Sequence, residues 1–316
     1  MRKKEFNLNF VGSRKIFFII AAVLTVIVLA IAPFRAKLDV QFAGGTMITY
    51  TYDGAADAVD TKALASEIQS VIGKEVTINI TSDMISDASN IVVTVAGNDS
   101  LSEEMINKMN DAVIGVYKNS ETVKNVAIGT TNNVDPSMGS MFFVKCLVAV
   151  FCAFLLIVVY VAVRFRKIGG WSAGIMAIVA LLFDIVMVFG AFLALNFTLD
   201  SNFIAVVLTI LGYSVNDTIV IYDRIRENEG LLGKKLPIGE LVNRSINQTF
   251  NRTLNTSITT LITMFVISIV AVVFNIDSIL RFSLPMMIGL IAGVFSSNCI
   301  ATGLWVSWLI KKEKNA

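Results

Sequence analysis

Two carboxylates stand in apolar company in this chain: Asp184 within LLFDIVMV, and Asp217 within LGYSVNDTIVIYDRIREN, where Asn216 directly precedes it. A charged side chain at mid-bilayer costs roughly 2.5 to 3.5 kcal/mol on insertion scales, so intramembrane carboxylates face a cavity or a partner. A third charge, Arg252, opens the stretch NRTLNTSITTLIT, and Thr256, Thr259 and Thr263 follow it at helical spacing, which sets guanidinium and hydroxyls on one face. Thr209, Tyr213, Asn216 and Asp217 share a face of their own span in the same way. Two such faces on neighbouring spans make a wet path in which Asp217 takes and loses a proton while Arg252, which stays charged, compensates it. The same residues also admit a structural reading. Hydroxyls in spans bond back to the carbonyl at i−4, and an Asp–Arg pair can clamp two helices together. Asp184 is more isolated, because Ser172 and Gly174 are too far along the helix to give it a local polar face.

Composition excludes several other chemistries. Histidine is absent, so histidine relays, histidine metal sites and Ser-His or Cys-His nucleophiles are ruled out. Cys146, Cys152 and Cys299 all lie in apolar runs and read as packing residues, not as a disulfide framework or a metal clip. No GxxxxGK[ST] string occurs, so a P-loop ATPase is not expected, and no cofactor or metal is implied.

The elements that must position these side chains are membrane spans. Of 316 residues, 55% are hydrophobic and 16% charged, and the mean hydropathy is +0.72. That is too apolar for an ordinary soluble domain. About 20 apolar residues cross a bilayer. Six stretches meet or approach that length: near Ile16 to Phe34, Met141 to Val163, Trp171 to Leu195, Asn202 to Tyr222, Thr256 to Phe274, and Pro285 to Ile310. The first is longer than a signal-peptide core and is followed by Arg35 and Lys37 in place of a small-residue cleavage site, so it is expected to be retained.

Lysine and arginine orient the bundle. They cluster before the first span, in RFRK at 164–167, in the 223–255 connection and in the tail, whereas the opposite short loops NFTLDSN and NIDSILRFS hold only Arg281. Both termini and the 223–255 loop are therefore expected in the cytoplasm. Within that loop Leu236, Ile238, Leu241, Ile246 and Phe250 form an apolar stripe beside basic residues, the pattern of a helix lying on the membrane surface.

The chain thus divides into residues 1–34 (N-terminus and first span), 35–140 (outside) and 141–316 (a five-span bundle). The outside segment is patterned as a domain. MITYTY, VTINI, NIVVTVAG and VKNVAIGTT alternate like strands, while DTKALASEIQSVIG and SLSEEMINKMNDAVIGVYK have helical spacing. Ser100 and Glu103 form a capping box. The order βαββαβ predicts a ferredoxin-like sandwich. Over residues 35–140 acidic side chains outnumber basic ones, 14 to 7. That disfavours nucleic acid or an anionic lipid surface as its partner and favours contact with other proteins.

LGYSVNDTIVIYDRIREN closely resembles the fourth-span signature of the SecF family, membrane subunits of the SecDF protein-export accessory complex. The likeness extends through KLDVQFAGGT after the first span, the Phe183-Asp184 pair in the third, and NRTLNTSITT entering the fifth. The family pattern after the first span is Gly-Ile-Asp-Phe-x-Gly-Gly-Thr, with one residue fewer between the aspartate and the phenylalanine, and members often carry histidine where this chain has Phe183. The resemblance implies a member of the RND transporter superfamily that pairs with a SecD-like subunit into a twelve-span unit. It implies that a proton or sodium gradient drives motions of external domains acting on unfolded polypeptides from the SecYEG channel, in the bacterial cytoplasmic membrane and among its lipids. It assigns the intramembrane aspartate role to Asp217 and the arginine role to Arg252. From their place near these two on the spans, Asn216, Thr256 and Asp184 are expected to complete the relay. Such a protein is not an enzyme. The alternatives are an RND-type exporter of small molecules or lipids, and a scaffold subunit that transports nothing. An intramembrane aspartyl protease would need a GxGD string where this chain reads GYSVND.

Overall fold

The computed structural model describes residues 8–54, 58–82, 88–96, 101–118, 122–134, 136–232, 236–274 and 276–314. Six helical segments are long and apolar enough to cross a membrane: Arg14–Arg35, Met138–Arg164, Gly170–Ala194, Ser201–Leu232, Ile238–Val273 and Asp277–Lys312. Between the first two lies an α+β unit. The helices and strands follow the order α1 (Arg14–Arg35), α2 (Val40–Ala43), β1 (Gly45–Asp53), α3 (Thr61–Ile72), β2 (Val76–Ser82), β3 (Ala88–Ala96), α4 (Glu103–Tyr117), β4 (Lys124–Val134), α5 (Pro136–Arg164), α6 (Gly170–Ala194), α7 (Ser201–Leu232), α8 (Ile238–Val273), α9 (Asp277–Phe295) and α10 (Thr302–Lys314).

In the α+β unit one four-stranded sheet has the order β2-β3-β1-β4. All its pairings are antiparallel, with Tyr50 opposite Ile91 on one side and Ile128 on the other. Alternation sends Ile48, Tyr50 and Tyr52 of β1 and Ile91, Val93 and Val95 of β3 to one face, where α3 covers them with Leu64, Ile68 and Ile72, one per helical turn. The Tyr50 hydroxyl, buried in that layer, donates to Asn110 Oδ1 at 2.7 Å. Asp60 caps α3 by accepting from Lys62 N and Ala63 N, and Gly73 ends the helix in the left-handed region at φ 66°. Ser100 lies outside the described residues; α4 is capped by Ser102, whose Oγ accepts from Met105 N.

The two glycines of KLDVQFAGGT carry the chain from α2 into β1 with φ of 78° at Gly44 and 136° at Gly45. Only glycine enters that backbone region without strain. The start of α5 also runs so close that a Cβ on Gly139 would sit 2.9 Å from Gly44 N.

In the bundle α6, α7 and α9 are the buried core, whereas α1, α5 and α8 present long apolar faces outward. Gly289, Gly293 and Ser297 form the close-packing seam that their four-residue spacing predicts. A Cβ on Gly289 would meet Ile210 and Val188, and one on Gly293 would meet Ser214. The last span differs from expectation in one respect: residues Ser296–Ala301 form a π-helical turn between α9 and α10. The 223–255 connection differs more. Apart from Leu236 and Pro237 its described residues are helical, as the apolar stripe predicts, but as continuations of the spans and not as a separate surface helix: α7 runs on to Leu232, and α8 starts at Ile238 and continues unbroken to Val273. The expected surface stripe is not offered to lipid either. Leu241, Val242 and Ile246 are buried against Phe10, Val11, Ile225 and Trp305, since protein apolar surface covers them more completely than an interface would.

Where the sheet meets the bundle, the exit from α1 pairs with the α6–α7 turn: Leu199 N donates to Lys37 O at 2.8 Å and Asp39 N to Leu199 O at 3.0 Å. Asp200 caps α7 by accepting from Asn202 N and Phe203 N, and Asp39 caps α2 by accepting from Gln41 N at 3.1 Å. Burial pushes the Asp39 carboxyl above its usual 3.8, and the nearby Asp200 carboxylate adds to this, against the Gln41 N–H, Arg281 and the Thr198 hydroxyl. A folded pKa above the unfolded one means that the folded chain binds more protons just above pH 3.8. Stability contributed by this group therefore falls as pH rises from there to the raised folded value. Asp39→Asn keeps the cap and removes the titration, so its thermal unfolding midpoint should decline less than wild type across that window. Parallel pH profiles for the two proteins would refute this.

Candidate functional site

Asp217 lies on α7 at the centre of the bundle, 3% exposed, with Ser214 and Thr218 buried on adjoining positions. Its neighbour Asn216 points outward and is exposed. Arg252, on α8, is within electrostatic reach of Asp217, but no ion pair within 4 Å closes between them among the described residues, and Arg252 itself is exposed. The two residues are thus neighbours across the α7–α8 contact without being clamped.

The hydroxyl face of α8 is rotated from the one the spacing indicated. Thr256, Thr259 and Thr263 are exposed and donate back to the carbonyls of Arg252, Thr256 and Thr259 at 2.8 to 3.0 Å. Beyond Arg252 the hydroxyls turned inward are Thr253, Ser257 and Ser268, all buried, while half-buried Thr260 meets the Tyr213 hydroxyl at 3.2 Å. Thr253 and Ser257 are four residues apart, one turn on the same face, and no hydrogen-bond partner reaches either hydroxyl oxygen among the described residues. Asp217 Oδ2 is equally unpartnered. Buried polar atoms in proteins nearly always have partners. Three without one, among the described residues, lie on the single helix pair α7–α8.

Asp184 is fully buried on α6 and is not isolated, because its partners come from other helices. Ser214 Oγ donates to its Oδ2 at 2.6 Å and Ser296 Oγ at 2.9 Å. From there a hydroxyl chain continues around α7: Ser297 Oγ lies 3.4 Å from Ser214 Oγ and donates to Ser214 O at 3.1 Å, and Thr218 Oγ1 donates to Ser297 Oγ at 3.0 Å. Asp184 Oδ1 and Asn298 Oδ1 have no hydrogen-bond partner among the described residues. Ser296, Ser297 and Asn298 all belong to the π-helical turn. Such turns shift the register of a helix and are frequent at functional sites.

The structure therefore sets Arg252 within electrostatic reach of Asp217, gives Asp184 a hydroxyl cluster that runs through Ser214 and Thr218 on the buried side of α7 beside Asp217, and leaves Asn216 and Thr256 on the outer surface of this chain. Sequence spacing missed Ser214, Thr218, Thr253, Ser257, Ser296, Ser297 and Asn298. Ser214 and Thr218 flank Asp217 one turn apart and were legible as candidates. The π-turn residues carry no signal beyond their place in a small-residue seam. No group of three or more His, Cys, Asp or Glu side chains arranged to hold a metal occurs among the described residues.

Fold and site define a polytopic α-helical membrane protein whose central spans bury two carboxylates among hydroxyl side chains. Residues 114–311 match the family described as protein export membrane protein SecD/SecF, C-terminal. The chain belongs to the SecF family of protein translocase subunits. It is 31% identical to the protein translocase subunit SecF of Alicyclobacillus acidocaldarius, over 95% of this chain and 92% of that one. It is equally identical to the SecDF of Bacillus subtilis over 95% of this chain, but there it spans only 38% of the longer relative. Among solved structures it superposes on the crystal structure of SecDF from Thermus thermophilus, described as a translocon-associated membrane protein. The TM-score is 0.77 at 28% identity, covering 98% of this chain and 40% of that one. The chain is accordingly a multi-pass bacterial membrane protein of the Sec export machinery.

Proposed function

We propose that this chain is the SecF half of an ion-driven export unit. With a SecD-like partner it uses the proton or sodium gradient to promote passage of unfolded polypeptides from the SecYEG channel across the cytoplasmic membrane, as a transport subunit and not as an enzyme. The observation that carries this reading is Asp217: a buried carboxylate with an unpartnered oxygen, facing the α8 helix that supplies Arg252 and two unpartnered hydroxyls. A carboxylate held this way is costly in a bundle that needs only packing, and useful in one that moves a proton. Asp184, Asn216 and Thr256 complete the relay, the last two on a polar outer surface that a partner's spans would cover. Longer relatives that carry SecD and SecF in one chain support the pairing.

In this reading the chain divides at 1–34, 35–140 and 141–316, with both termini in the cytoplasm and the α+β unit outside. The antiparallel β2-β3-β1-β4 sheet supports a ferredoxin-like build, and the asymmetry of lysine and arginine between loops supports the orientation. Reporter domains fused after Thr130 and after Lys235 are expected to be active outside and inside the cytoplasm respectively. The reverse pattern would overturn the orientation. Function is tested by reconstituting the chain with its SecD-like partner and the channel in vesicles. Export of an unfolded polypeptide should rise when an ion gradient is imposed and fall back when it is collapsed. Export indifferent to the gradient would sink the proposal.

A further inference from the structure

Arg281 is the lone basic residue in the two short loops at the domain end of the bundle, and its side chain is only 12% exposed. The bundle fixes its guanidinium on three sides. Nη1 donates to Thr198 Oγ1 at 2.9 Å, Asp277 lies at 3.5 Å one helical turn back, and the Phe197 ring lies beneath the cation at 5.7 Å from its centroid. Nη2, the nitrogen that faces Asp277, also reaches out of the bundle and donates to Asn79 Oδ1 at 2.8 Å. Asn79 stands in the middle of β2, an edge strand of the sheet. The chain itself joins the sheet to the bundle through β1 and β4, so Asn79 lies on the edge strand away from the covalent connections. Thr198 links the same node to the α1 exit, its hydroxyl lying 3.5 Å from Asp39 Oδ2. The second crossing contact nearby, Lys37 to Glu75 at 3.1 Å, is 49% and 76% exposed and is therefore weak and screened.

We propose that Arg281 is a positioning residue that sets the resting orientation of the α+β domain on the bundle, holding Asn79 from a guanidinium already fixed by Thr198, Asp277 and Phe197. A five-donor planar fork suits this task, because it can keep its bundle partners and still offer a donor outward. The contact is one hydrogen bond deep, so the domain can leave it and return as α7 and α9 shift, which makes it a dock and not a weld. The coupling of this dock to transport rests on the export function proposed above.

The test uses the full chain with its SecD-like partner in lipid, with Cys146, Cys152 and Cys299 replaced by alanine and spin labels placed through Glu67→Cys on α3 and Leu195→Cys at the end of α6. The parent protein should give one narrow label-to-label distance. Asn79→Ala, which lies outside the bundle and cannot unfold it, and Arg281→Met, which keeps bulk over Phe197, should each broaden that distance, and the double variant should broaden it no further. Gradient-dependent export should fall in each by roughly tenfold, the scale of one charged hydrogen bond. An unbroadened distance in both single variants would overturn the positioning role, and a broadened distance with undiminished export would overturn its part in transport. Loss of gradient dependence in the parent protein would instead strike the proposed function, and the distance measurement would still decide the dock.

Discussion

Asp217→Asn should reduce gradient-dependent export to background while leaving the protein inserted and bound to its SecD-like partner. Asparagine keeps the shape of the side chain and its place beside Ser214 and Thr218 on the buried face of α7, but it cannot take or release a proton. Arg252 is charged at any physiological pH, so it cannot substitute as the titrating group. Arg252→Met should give the same phenotype for the complementary reason: most of the bulk stays, and the charge that offsets the Asp217 carboxylate across the α7–α8 contact is gone. The loss expected in each is roughly a hundredfold or more, the range seen when a positioned proton-transfer group is removed. A purely structural polar contact would behave differently. The unpartnered oxygen of Asp217 contributes no hydrogen bond among the described residues, so an Asn variant of a scaffold would retain full activity. Wild-type export by Asp217→Asn, measured with the partner present and a gradient imposed, would show that the proton path lies elsewhere.

Gly170→Val should be the most damaging single change to the fold. The α5–α6 hairpin turns through a short 3-10 segment at Arg166–Ile168, and Gly169 follows in the left-handed region at φ 85°. At Gly170 the two helices come so close that a Cβ would land on the carbonyl oxygen of Ala162 and within 3.0 Å of its carbonyl carbon and Cα. Those are backbone atoms of a packed helix, which cannot rotate aside as a side chain can. Overpacking ordinarily costs about 1 to 3 kcal/mol. Here the hairpin must open, so about 3 kcal/mol or more is expected, read as a lower unfolding midpoint in detergent and a reduced folded yield. Gly230→Ala provides the control. A Cβ there meets nothing within 4 Å, the residue is exposed on α7, and replacing a helical glycine by alanine should stabilise by about 0.5 to 1 kcal/mol. If both substitutions shift the midpoint alike, close helix approach at Gly170 is not what limits the hairpin.

The six spans were legible from composition alone, because the cost of leaving apolar residues in water and backbone groups unpaired in lipid acts on every residue of a span and needs no tertiary detail. The βαββαβ order was legible for a similar reason: the alternation of MITYTY and the helical spacing of DTKALASEIQSVIG are local, and each is set by which face must be buried. Asp217 and Arg252 stood out by their cost, and the seam through Gly289 and Gly293 by its spacing.

What the sequence could not determine was rotation. Helical spacing shows that Arg252, Thr256, Thr259 and Thr263 share a face, but not which way that face turns. The packing of α8 on α7 and α9 buries Thr253 and Ser257 and leaves Thr256 outside. Nor could it show that Asp184 would find its partners on α7 and in a π-helical turn, since those residues lie 30 and 112 positions away along the chain. Within the 223–255 segment the helical stripe through Leu241, Ile246 and Phe250 was legible, but as a separate helix on the membrane surface. Tertiary packing of Leu241, Val242 and Ile246 against Phe10, Val11 and Trp305 instead extends α8 through it. Local pattern fixes which residues must leave water or lipid. Only the assembled bundle decides which neighbours receive them, because that depends on the mutual rotation and closeness of helices distant in sequence.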